Sequence, residues 1–142
     1  MATRGKISVA RREEGVSFSE IPERTIVDIY NHWDSYPEGL GVTLGWDLSG
    51  KKIVNGLGSK DNEDLVYNGM GCLAASLVAY LKDGPGDVYI EDSERPHTWI
   101  DYHYYIWGNE GKSIWISIFS GNECIFVGEP EDLLDKYDKN YL

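Results

Sequence analysis

A chain of 142 residues, 42% hydrophobic and 26% charged, has the composition of one globular domain with a real core, without repeats, linkers or low-complexity tracts. Its 24 acidic and 13 basic side chains give a net charge of −11, which excludes a protein that grips nucleic-acid polymers through a basic footprint. A small anionic ligand is not excluded, because one or two local arginines suffice for a phosphate.

Residues Lys6 to Ala10 alternate Ile7 and Val9 with polar neighbours and predict a first strand. Glu13-Glu14-Gly15 reads as a turn and Glu20 to Glu23 as a surface loop. Arg24 to His32, rich in Ile26, Val27, Ile29 and Tyr30, predicts a second strand. Pro37 suits the first turn of a helix and Glu38 the positive end of its dipole. A short helix is therefore expected from Glu38 to Leu48, weakened by Gly39, Gly41 and Gly45. Gly50 to Asn62 reads as a polar connection.

Asp64 to Lys82 predicts one long central helix, on which Leu65, Gly69, Cys72, Leu73, Ser76, Leu77, Tyr80 and Leu81 form an apolar stripe. Val66, Met70, Ala74 and Val78 widen that stripe, which predicts deep burial or a subunit contact. Asp83-Gly84-Pro85-Gly86 stops the helix. The C-terminal half reads as a meander of strands near Asp87 to Glu91, Thr98 to Trp107, Ser113 to Ser120 and Glu123 to Val127. Pro130 opens a final acidic helix, Glu131 to Lys139. The expected class is α+β: an antiparallel sheet with the long, the glycine-containing and the C-terminal helices packed on it.

Cys72 and Cys124 lack metal-type spacing and read as buried thiols of a reducing compartment. The first residues lack the apolar core of a secretion signal, and no apolar run reaches bilayer-spanning length. A soluble intracellular protein with no membrane partner is expected.

His32, Trp33, Asp34, Ser35 and Tyr36 crowd an imidazole, two large aromatics and a carboxylate ahead of a Pro-Glu-Gly turn. Such a cluster suits the holding of a planar ligand such as a base. It equally suits a hydrogen-bonded corner locking strand to helix. No nucleophilic triad is evident, although His32 with Asp34 could act as an acid–base pair. His97, Asp101 and His103 are a weak candidate metal set for want of a further spaced ligand, and no cofactor is expected. Gly56-Leu57-Gly58-Ser59-Lys60 lacks the ending of a phosphate loop and reads as a plain loop.

The segment Thr98 to Trp107 carries Trp99, Tyr102, Tyr104, Tyr105 and Trp107, so both faces of a strand there would be aromatic, one of them open to a partner or ligand. Trp99 is the candidate wall for a base, Arg95 and Arg24 are candidate phosphate partners, and Asn109 is a neutral donor. The competing reading of Arg95 is an ion pair with the acids of Glu91-Asp92-Ser93-Glu94. Arg95 and Asn109 stand at opposite ends of that strand and could share a pocket only across two chains.

Thr3-Arg4-Gly5-Lys6-Ile7 together with Ile29-Tyr30-Asn31-His32-Trp33-Asp34-Ser35-Tyr36-Pro37-Glu38-Gly39-Leu40-Gly41 resembles a group of small phage-encoded proteins. These open with a Thr-Arg-x-x-Ile strand followed by a Tyr-x-His-Trp-Asp-Gly-Tyr-Pro-x-x-x-Gly signature. Ser35 departs from it where glycine is usual, which puts the tightness of the turn in question. The closing Phe126-Val127-Gly128-Glu129-Pro130-Glu131-Asp132-Leu133-Leu134 is also similar, and the middle of the chain matches only by pattern. One branch of the group is the first-described anti-Thoeris protein family, which sequesters cyclic ADP-ribose isomers made by host TIR-domain enzymes; its oligomers also hold cyclic oligonucleotides.

The resemblance implies a phage anti-defence protein of the host cytoplasm, a homo-oligomer built on dimers, and ligand pockets recessed between subunits. It implies sequestration without cleavage, hence no enzyme. The candidate ligand residues are Arg24, His32, Trp33, Tyr36, Arg95, Trp99 and Asn109. Two other classes compete: an enzyme that degrades the signal with His32 as acid or base, and a phage protein that blocks a basic host factor by direct contact.

Overall fold

A computed structural model describes residues 2–56 and 65–141. In chain order the elements are β1 (Gly5–Arg11), β2 (Val27–Asn31), a π-helical turn (Pro37–Gly41) running straight into α1 (Val42–Leu48), β3 (Lys52–Val54) and β4 (Val66–Asn68). They continue with α2 (Gly69–Leu81), β5 (Val88–Ile90), β6 (Tyr102–Gly108), β7 (Trp115–Ser120), β8 (Glu123–Gly128) and α3 (Pro130–Tyr137). The protein is α+β, with a largely antiparallel six-stranded sheet in the order β5-β2-β1-β6-β7-β8. β1 and β6 form its parallel pair. The short β3 and β4 pair separately, also in parallel.

Alternation along β1 sends Ile7 and Val9, both fully buried, to the face covered by helices. α2 meets them with Met70, Leu73, Ala74 and Leu77, spaced for one helical face. α1 adds Leu44 and Leu48, α3 adds Leu133, and β6 and β7 add Ile106, Ile116 and Ile118. Each of the larger of these side chains contributes about 1.5–3 kcal/mol on full burial, so this shared core is the main source of stability. Pro130 opens α3, where the Asp132 carboxylate accepts from the Glu129 backbone N–H at 2.9 Å.

Several expectations change. The central helix starts at Gly69, because Val66–Asn68 is drawn into β4. Leu65 and Tyr80, expected on its buried stripe, are 46% and 51% exposed. Its outward residues include Gly71, Ala75 and Ala79, whose small side chains present little apolar area, so the pattern does not by itself demand a second cover. The strand expected near Asp87 is β5, which pairs with β2 at the far edge rather than joining a meander. β6, β7 and β8 are successive antiparallel neighbours. β6 begins at Tyr102, so Trp99 precedes it and is not a strand residue. Residues 57–60 of the glycine-containing Gly56–Lys60 segment lie outside the described residues.

Around β6 the second face of the sheet is covered rather than open as expected. Ala10, Tyr105, Trp107 and Phe119 are buried there, and Phe18 from the loop after β1 packs on Trp107 and Trp115 with ring centroids 5.5 and 4.9 Å apart. Arg12 lies over the Phe18 ring and pins the loop through Ser113. Cys72 and Cys124 are free and partly buried. Among the described residues no helix is long and apolar enough to cross a membrane.

Candidate functional site

The chain leaves β2 through a corner that its own side chains lock. Asn31 Nδ2 donates to the Trp33 carbonyl at 2.6 Å and to Ser35 Oγ at 2.9 Å. Ser35 is fully buried; its N–H donates to the Thr3 carbonyl, and its carbonyl accepts the Tyr104 hydroxyl at 2.7 Å. A Cβ on Gly39 would stand 2.5 Å from the Asp34 carbonyl oxygen, so only glycine admits this approach. The left-handed backbone of the turn falls at Asp34, φ 53°, rather than at Ser35. A serine at position 35 therefore leaves the turn tight and adds a buried hydroxyl to it. Tyr36 lies against Gly39, half-exposed, and acts within the corner.

This corner projects His32 and Trp33 outward. Trp33 is 51% exposed, and its indole N–H donates to Asp87 Oδ1 at 2.9 Å, so it is not the buried core ring that a purely structural corner would need. Asp87 itself has φ 65°. Asp34 and Asp87, the positive-φ non-glycine residues among those described, thus flank one side chain, a clustering of backbone strain that accompanies functional sites.

Behind Trp33, the antiparallel register sets Tyr30 of β2 opposite Tyr89 of β5. The Tyr30 hydroxyl lies 2.8 Å from His32 Nδ1. His97 stacks on the Tyr30 ring at 3.5 Å and 3°. Its Nδ1 is 2.8 Å from Glu91 Oε1, while Lys6 Nζ sits 2.9 Å from Glu91 Oε2. Burial pushes the Glu91 carboxyl up, and hydrogen bonds from Lys6 and His97 outweigh it, leaving the group below its ordinary value and ionised. Burial, partly offset by Arg4, raises the Tyr30 phenol and keeps it a neutral donor.

Together these groups line a cleft of about 410 Å³, formed by Arg4, Tyr30, His32, Trp33, Gly86, Asp87, Tyr89 and His97. That volume falls within the range of small-molecule sites. Arg4 is held through its backbone: its carbonyl accepts from the N–H groups of Asp101 and Tyr102, and its N–H donates to the Asp101 carboxylate. Its guanidinium is the cation of the cleft, and it makes no ion pair among the described residues.

Two of the expected ligand residues, His32 and Trp33, meet here. Arg95 and Trp99 lie on the exposed loop that carries His97, with Trp99 78% exposed. The ion pair weighed for Arg95 does not form among the described residues; its backbone N–H bonds Asp92 instead. Asn109 lies away from this cleft and ties a turn, its amide donating to the Arg12 carbonyl and its oxygen accepting from the Glu110 N–H. Arg24 lines a separate groove of about 710 Å³ with Arg11, Ile21 and three glutamates. Trp107 floors that groove but is 1% exposed and offers no ring face for stacking.

Arg4, Tyr30, Asp87 and Tyr89 were not among the expected site residues, and His97 only as a metal ligand. Arg4 and Tyr30 stood in the two segments that carry the resemblance, and alternation puts Tyr30 with His32, and Tyr89 with Glu91, on common faces. The expected metal set does not converge: His97 pairs with Glu91, the Asp101 carboxylate accepts from Arg4, and His103 bonds Ser8. Among the described residues no group of three His, Cys, Asp or Glu side chains is placed to hold a metal ion.

A serine, histidine and aspartate do meet inside the sheet. Ser8 Oγ donates to Asp28 and sits 2.7 Å from His103 Nε2, whose Nδ1 is 3.2 Å from the Tyr105 hydroxyl. The aspartate holds the serine rather than the imidazole, and Ser8 is fully buried, so the order and access of a nucleophilic triad are absent from this constellation.

No protein-family model, no curated protein and no solved structure matches this chain.

Proposed function

We propose that this protein binds a nucleotide signal of the cyclic ADP-ribose class and sequesters it without cleaving it, acting as a phage anti-defence protein in the host cytoplasm. The observation that carries the reading is the 410 Å³ cleft, with Tyr30, His32, Trp33, Tyr89 and His97 as walls and Arg4 as cation. Half-exposed Trp33 and Tyr89 offer ring faces to a base, and a guanidinium pairs with phosphate oxygens through parallel N–H donors. Titrating the protein with cyclic ADP-ribose isomers, then heating it and analysing the released nucleotide, tests this directly. Intact ligand is the expected outcome; a cleaved product would mean an enzyme, and absence of binding would leave inhibition by protein contact. Arg4→Ala should weaken binding about ten- to a hundredfold, the effect of losing a charge-assisted bond worth about 1.5–3 kcal/mol.

The same reading includes a homo-oligomer, a dimer or larger. Tyr89 and Ile90 on the edge strand β5 are 42% and 57% exposed, beside exposed Trp33 on the rim of the cleft. A second copy seated there would bury this apolar rim and shut water from the ligand. Light scattering at micromolar concentration should give at least twice the chain mass of 16.0 kDa; a clean monomer, with and without nucleotide, would remove the oligomer from the reading.

A further inference from the structure

We propose that His97 is a displaceable placeholder: its imidazole occupies the stacking seat on Tyr30 that a planar base bearing an N–H donor takes on binding, and Glu91 passes its hydrogen bond from the imidazole to the base. The identity of the base rests on the nucleotide-holding reading above, whereas the seat itself rests on geometry.

The two rings are nearly parallel at stacking distance, the arrangement a nucleobase would adopt on a tyrosine. The seat belongs to the body of the protein: Tyr30 is 2% exposed, and the Glu91 side chain is 5% exposed. Its occupant belongs to a loop, with the His97 side chain 42% exposed and residues 92–99 all exposed. The other bonds of that loop stay within it, from the N–H groups of Glu94 and Arg95 to Asp92. Among the described residues, only the bonds from the His97 backbone and ring to Glu91 Oε1, at 3.2 and 2.8 Å, tie the middle of the loop to the sheet.

This anchoring also states what can replace the imidazole. Lys6 pairs as a cation with Glu91 Oε2 at 2.9 Å, a contact separate from that of His97 with Oε1. Withdrawal of His97 leaves Oε1 an ionised, nearly buried acceptor without its donors, which is costly unless the newcomer donates. An apolar ring would strand it. A base with an amino group or ring N–H beside the stacking plane, such as adenine, restores the bond and covers more of Tyr30 than an imidazole does.

The test uses His97→Ala in the full chain, with folding checked by circular dichroism, and free imidazole and AMP as probes. The vacated seat should bind imidazole saturably, and AMP should bind the variant about tenfold more tightly than wild type, since nothing has to be displaced. Purine riboside 5′-monophosphate, which lacks the amino group, should bind the variant at least tenfold more weakly than AMP. In wild type, the His97 ring protons should lose their Tyr30 ring-current shift in NMR spectra as AMP is added. Imidazole binding by the variant without nucleotide binding by either protein would uphold the seat and overturn the nucleotide reading. A variant that takes up no imidazole and gains no affinity for AMP would overturn the placeholder and make His97 a fixed wall.

Discussion

Replacing Trp107 by alanine is expected to destabilise the protein by about 3–5 kcal/mol, whereas the same change at Trp33 costs about 1–2 kcal/mol. Trp107 is 1% exposed, packs at tilted angles against Phe18 and Tyr105, and donates its indole N–H to the buried Ser117 hydroxyl at 3.0 Å. Its removal opens a cavity and leaves Ser117 without that partner. Trp33 is half in water already and gives up one exposed hydrogen bond to Asp87. The two variants should also separate in binding: Trp33→Ala should lose about ten- to a hundredfold in affinity for cyclic ADP-ribose, the range of one base–aromatic stack. Urea denaturation and calorimetry on both proteins check this. Equal stability losses would place Trp33 in the core, and unchanged affinity would move the ligand away from this cleft.

The second large effect is a loss of stability on acidification that originates at His103. Burial, assisted by the nearby Lys6 charge, pushes its imidazole from 6.5 down to about 4 in the fold. Ser8 gives its one proton to Asp28, so its oxygen accepts from His103 Nε2–H, and Nδ1 is left to accept from Tyr105. Burial also raises the Tyr105 phenol to about 12, which keeps its proton available for that bond. The folded state thus favours the neutral ring, and the open chain takes up a proton first. Its contribution is fully present above pH 6.5 and is lost as the pH falls toward 4, amounting to roughly 3 kcal/mol. His103→Gln, which keeps a donor toward Ser8 and cannot titrate, should flatten the dependence of unfolding free energy on pH across that window. Identical slopes for the two proteins would assign the acid sensitivity to other groups.

The candidate site was legible only where it is contiguous. The run from His32 to Tyr36 announced itself by residue type: Asn31, Ser35 and Gly39 lock the corner, as one reading of it expects, while His32 and Trp33 line the cleft proposed to hold the ligand. Trp99 stands out by its place on the strand expected from Thr98 to Trp107, and Arg95 and Asn109 by flanking it. That strand starts later, at Tyr102, because the backbone of residues 101 and 102 is taken by the Arg4 carbonyl. Nothing within 98–107 announces that contact, since Arg4 lies almost a hundred residues earlier.

By itself the sequence determined what depends on neighbouring residues: the α+β class, the strand character of β1 and β2, the part of the α2 stripe around Leu73 and Leu77, the turns around β7, and the proline that opens α3. Side-chain period and turn chemistry are local properties, and they survive whatever the rest of the chain does. Only the tertiary structure decided which strands pair and which faces close. The β1–β6 parallel pair and the β2–β5 edge join segments far apart in the chain, and it is they that set Tyr30 against Tyr89 and gather Arg4, Asp87 and His97 around them. The aromatic second face around β6 went the same way: alternation exposes it on paper, and in the fold Phe18, from the loop after β1, packs over Trp107 and Trp115, a contact between distant segments that no local pattern announces.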